Sequence, residues 1–145
     1  MKKATLTTLI DIAQKASDEA AKKLGRTLQA KIDSENQLNL LVQYRGDYEN
    51  RFRDGSSKGL NVTQFNNFQN FIEKLNTAVD GQKRLIQDAE YKVEMAKKQW
   101  QETEKTRLSY QTLMDRNTSL ENKKEVKQDQ KQTDEHATRS FFYKR

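Results

Sequence analysis

The chain has 145 residues, of which 33% are hydrophobic and 33% charged, with a mean hydropathy of −1.11 and a formal charge of +6. Globular domains run to roughly 45–50% apolar, so this composition does not enclose a sizeable core and implies a highly helical, elongated protein or a disordered one. Zero cysteine excludes disulfides, thiolate metal sites and cysteine nucleophiles, and zero proline leaves long helices unbroken. Residues 1–10 carry two lysines but no apolar stretch of the length a secretory signal needs. No apolar run exceeds three residues, as in Leu40-Leu41-Val42, which excludes a membrane span.

The first predicted element is a helix over about 5–53. Alternating steps of four and three give Leu6, Ile10, Ala13, Ser17, Ala20, Leu24, Thr27, Lys31, Ser34, Leu38, Leu41, Arg45, Tyr48 and Phe52, the a/d spacing of a coiled-coil seam. Its middle is interrupted by Thr27, Lys31 and Ser34, while Leu28 and Ile32 stand one position along. The expectation is a shift of register there.

Residues 54–62 form the predicted turn, where two of the five glycines, Gly55 and Gly59, flank a Ser-Ser pair and the periodicity stops. Asn61 followed by Gln64 fits a capping box, with Thr63 as an alternative cap.

The second helix is predicted over about 63–114. The same stepping from Phe68 through Leu75, Val79, Ala89, Ala96 and Trp100 to Met114 meets an apolar or aromatic residue at eleven of fourteen positions. A short turn makes the helices antiparallel neighbours. The fold class is therefore all-α: two long antiparallel helices forming a coiled-coil hairpin over 1–114. Facing residue numbers sum to about 116, so Tyr48 faces Phe68, Leu41 faces Leu75 and Ala13 faces Thr103. Beyond about residue 112 no partner helix remains. Residues 115–145 are then a polar C-terminal extension, a helical overhang or disordered, with Leu120 and Val126 the only large apolar residues before Phe141-Phe142-Tyr143.

The excess charge raises nucleic acid as a partner, but its distribution lowers it again. Segments 1–53, 54–62, 63–114 and 115–145 carry +3, 0, +1 and +2, with both signs interspersed and no basic stripe interleaved with aromatics. Catalysis finds no support. The one histidine, His136, lies in the polar tail; phosphate-cradling loops and metalloprotease motifs are missing, and two helices form no water-excluding pocket. No catalytic, cofactor-binding or metal-ligating residue is expected.

Six of the twelve aromatics gather near the turn: Tyr44, Tyr48, Phe52, Phe65, Phe68 and Phe71. Tyr44 and Phe71 lie one position off the seam. Gln37, Leu41, Tyr44 and Tyr48 form one stripe, and Phe71, Leu75, Ala78 and Gln82 form a second with the same spacing. The register sets the two side by side. Such a patch on a very polar surface is a candidate protein-binding site, or a plug for the hairpin end.

Three runs, Leu41 to Tyr48, Asn67 to Leu75 and Asp134 to Arg139, resemble the bacterial flagellar export protein family FliJ in order, spacing and chain length. The Tyr-x-x-x-Tyr before the turn and the Asn-Phe-x-x-Phe-Ile-x-x-Leu after it are more specific than heptads. The resemblance implies a cytoplasmic protein, peripherally associated with the export apparatus at the inner membrane. It implies a stalk-like coiled coil docking into the hexameric export ATPase FliI, held with its regulator FliH, and contacting the export gate protein FlhA. It also implies binding and recycling of export chaperones. The family's gate-binding patch maps onto Gln37, Leu41, Tyr44, Tyr48, Phe71, Leu75, Ala78 and Gln82, with Gln82 where the family pattern often has histidine. Other readings of the same residues are the stalk protein of a virulence secretion system, a holdase-like coiled-coil chaperone, and a basic nucleic-acid-binding coil.

Overall fold

The computed structural model describes residues 2–143. Helix α1 covers Lys3–Ser56 and helix α2 covers Val62–Tyr143, and no strand occurs among the described residues. Side chains join the helices in antiparallel sense: the Gln82 amide donates to the Ser34 carbonyl at 2.9 Å, and the Arg45 guanidinium donates to the Asn76 side chain at 3.0 Å. The chain divides into two compact units, one of residues 1–18 with 101–145 and one of residues 19–100.

Within the unit spanning 19–100, every seam residue of both helices is buried or half-buried, with Ala20, Leu75, Val79, Ala89 and Ala96 the most enclosed. The expected register shift does not occur. Leu28 and Ile32 point outward, 43% and 50% exposed, while Thr27, Lys31 and Ser34 keep their seam positions half-buried. The reason is local satisfaction of the polar groups. Thr27 donates its hydroxyl to the Leu24 carbonyl at 2.8 Å, and the Lys31 ammonium reaches out to Glu35 at 3.9 Å. A lysine stem lying along a seam with its charge in water costs little, so the seam runs straight through.

The turn is built from short hydrogen bonds. The Ser56 and Ser57 hydroxyls return to the Arg53 and Asp54 carbonyls at 2.8 and 2.7 Å. Gly59 takes φ of 90°, the left-handed region that side chains disfavour. Asn61 and Gln64 then form a reciprocal capping box. The Gln64 N–H donates to Asn61 Oδ1 at 2.7 Å and the Asn61 N–H donates to Gln64 Oε1 at 3.2 Å. Thr63 falls inside the first turn of α2. Asn61→Ala is expected to destabilise the fold by about 1 kcal/mol, the usual worth of an N-cap, read as a lower urea midpoint with an unchanged slope.

The other unit pairs the start of α1 with 101–117. Leu6 is fully buried, Ala13 and Ser17 nearly so, and Met114 and Asn117 are still half-covered. Ser17 and Arg107 are polar residues at seam positions. Glu104 joins them: its carboxylate accepts the Ser17 hydroxyl and, side-on, Arg107 Nε at 3.0 Å and Nη2 at 2.8 Å. The Arg107 hydrogen bond first, and the Ser17 hydroxyl second, hold the Glu104 carboxyl down at about 2 from its ordinary 4.5. A depressed carboxylate adds stability that is complete above pH 4.5 and disappears as pH falls toward 2. Melting temperatures measured between pH 6 and 2 should therefore fall more steeply for the native chain than for Glu104→Gln. From 118 onward α2 continues as an exposed single helix to Tyr143, with only Ser140 half-covered.

Candidate functional site

The six aromatics near the turn stack into one file that crosses repeatedly between the helices. Phe65 meets Phe52 at 6.4 Å between ring centroids, Phe52 stacks on Phe68 at 3.6 Å, and Phe68 stacks on Tyr48 at 5.5 Å. Tyr48 meets Phe71 at 4.4 Å, and Phe71 receives Tyr44 edge-on at 6.2 Å. The parallel Tyr48–Phe68 pair and the edge-on Tyr44–Phe71 pair have the favoured separations of aromatic pairs, whereas Phe52 lies almost face to face on Phe68. The seam spacing brings Tyr48, Phe52 and Phe68 inward, and the one-position offset leaves Tyr44 at the margin, 49% exposed. Phe71 is half-buried because Tyr48 and Tyr44 flank it.

The eight residues of the two stripes all lie within the unit spanning 19–100, but they play different parts. Gln37 and Ala78 are exposed like Tyr44, and Leu41, Tyr48 and Phe71 are half-buried. Leu75, at 8% exposure, is seam core and offers a partner almost nothing. Gln82 is half-buried and ties the helices together through the Ser34 carbonyl. Its amide supplies the donor that a histidine would supply there, without a charge. The surface open to a partner is thus Tyr44 with the accessible edges of Phe71, Leu41 and Tyr48, bordered by Gln37 and Ala78. Arg45 also clasps Asn76, a contact that spacing does not reveal because a seam arginine carries no signal of its partner.

Elsewhere, His136 lies on the exposed tail helix, and among the described residues no group of three or more His, Cys, Asp or Glu side chains gathers. The Phe141 and Phe142 rings meet edge-on at 6.1 Å with both side chains more than 60% exposed. No helix among the described residues is long and apolar enough to cross a membrane.

The family model described as flagellar FliJ protein matches residues 1–145. The chain belongs to this flagellar FliJ family. It is similar to the flagellar FliJ protein of Salmonella typhi, 32% identical over 139 residues that cover 96% of this chain and 95% of the relative. It is likewise similar to that of Escherichia coli strain K12, 31% identical over 139 residues with the same coverage. Family membership makes the chain a component of the flagellar protein export apparatus, the first of the readings that the residues had left open.

Proposed function

We propose that the chain is a non-enzymatic stalk and adaptor of the flagellar export apparatus. In this reading it links the hexameric export ATPase FliI, with its regulator FliH, to the export gate protein FlhA, and it escorts export chaperones. The paired helices up to about residue 114 are the working coiled coil, and 115–145 is an extension of α2. ATP and its hydrolysis belong to the ATPase; the chain acts by contact, in the cytoplasm and against the inner-membrane apparatus.

The observation that carries the reading is the half-exposed Tyr44 seated edge-on against Phe71 at the margin of a paired, stacked aromatic file. Aromatic anchors held in place before binding lose little conformational freedom on association, and such residues dominate the energetics of protein interfaces. Gln37 and Ala78 border the anchors without charge, which suits a contact made by shape rather than by ion pairs.

The test joins two assays on one protein. The native chain should raise the turnover of the purified export ATPase and bind the gate protein. Tyr44→Ala/Phe71→Ala should keep the first activity and lose most of the second. Unchanged ATPase turnover with both proteins folded would remove the stalk role, and unchanged gate binding by the double variant would remove the patch.

A further inference from the structure

The two stripes are segments of longer rows. Tyr44 and Gln37 continue at the same seven-residue spacing to Ala30 and Lys23 on α1, and Phe71 and Ala78 continue to Leu85 and Lys92 on α2. Between these continuations lies a groove of about 400 Å³, with Ala30, Leu85 and Ala89 among its lining. Small seam residues make it. Thr27, Ser34 and Ala89 fill less space than the Leu, Ile or Val typical of such positions, so the helices stay in register and leave a furrow. Leu85 is 55% exposed at its wall. The hydrogen bond from Gln82 to the Ser34 carbonyl ties a residue of the patch stripe to one that lines the groove.

Charge distinguishes the two halves. The patch has none, whereas the groove is lined by Lys23, Arg26 and Lys92 against a single carboxylate, Asp88. Among the described residues none of these three cations forms an ion pair. Three cations against one carboxylate, around an apolar strip, complement a segment that carries carboxylates beside an apolar face.

We infer that the gate-binding surface extends from the aromatic patch into this groove, and that its occupant is an acidic amphipathic helix of the gate protein. Its apolar face covers Leu85 and Ala30, and its carboxylates meet Lys23, Arg26 and Lys92. The inference rests on the gate reading of the patch, and it adds about 21 Å of contact, the rise of the fourteen residues from Ala78 to Lys92. All the residues concerned lie within the unit spanning 19–100.

The experiment titrates the full chain with purified export gate protein at 50, 150 and 400 mM salt. The variants are Lys23→Ala/Arg26→Ala/Lys92→Ala, Leu85→Ala and Tyr44→Ala, each checked for unchanged helicity. Loss of three exposed ion pairs should weaken binding about tenfold at low salt and flatten the salt dependence. Leu85→Ala should weaken it severalfold at every salt concentration, and Tyr44→Ala should weaken it while keeping the native salt slope. Native affinity and slope in the triple variant, beside a loss in Tyr44→Ala, would overturn the groove and leave the patch standing. Losses in the triple variant and Leu85→Ala with native binding by Tyr44→Ala would support the groove and remove the patch. A triple-variant loss confined to the association rate, with Leu85→Ala unchanged, would reduce the cations to steering and overturn the seat. Displacement of the gate protein by a short DNA duplex at 150 mM salt would also overturn it, assigning the cations to phosphates.

Discussion

Replacing Tyr44 by alanine is expected to lower affinity for the export gate by about 1–3 kcal/mol, the range of aromatic anchors at interfaces, while moving the melting temperature little. Tyr44 contributes one edge-on ring contact, at 6.2 Å, and half of its surface already meets water. Phe71→Ala should cost similar affinity but more stability, because Phe71 also contacts Tyr48 at 4.4 Å. Leu75→Ala, at a seam position, supplies the contrast: stability falls and gate affinity changes only as far as the fold loosens. The measurement is a gate titration of the three variants beside their melting curves. Native affinity for Tyr44→Ala and Phe71→Ala, with lowered melting temperatures, would return both rings to a purely structural plug of the hairpin end. A holdase would separate from an adaptor in the same assay, since loss of single anchors would barely change its grip on varied clients.

Leu6→Ala is expected to have the largest effect on stability of any single truncation near the helix ends. Leu6 is fully buried, whereas the next seam residue, Ile10, is only half-buried and Ala13 and Ser17 after it are small. Truncating a buried leucine costs about 2–5 kcal/mol in a full core; a two-helix seam closes part of the void and brings the expectation to about 2–3 kcal/mol. The loss should be local. Hydrogen exchange should accelerate at residues 3–18 and 101–117 while amides of the aromatic file keep their protection, because short sections of a long pair open separately. Uniform acceleration along both helices would mean that the pair melts as one cooperative unit.

Much of this molecule was legible in its spacing. Every fourth-then-third residue from Leu6 to Phe52 and from Phe68 to Met114 lies at a buried or half-buried position, since a heptad pattern leaves two helices little choice of facing sides. The Asn61–Gln64 box was equally readable, because capping depends on a pair of side chains three residues apart and on nothing distant. The family followed from short aromatic runs around the turn, whose order and spacing carry more information than heptads.

What only the tertiary structure decided is how polar residues on the seam are accommodated. Apolar content alone would let Leu28 and Ile32 replace Thr27, Lys31 and Ser34 on the seam, but apolar content alone does not set the register. The register is set by both helices at once, and α2 keeps strong seam residues on either side of this stretch, Val79 and Ala96 among them. Local hydrogen bonds and a lysine reaching water hold the seam in place at less cost than a shift along α1. The groove beside Leu85 and the Ser17–Glu104–Arg107 cluster arise the same way, from residues up to 87 positions apart in sequence. Spacing along one helix says which face a residue occupies. Whether that face is covered, open or furrowed depends on the size and polarity of what stands opposite.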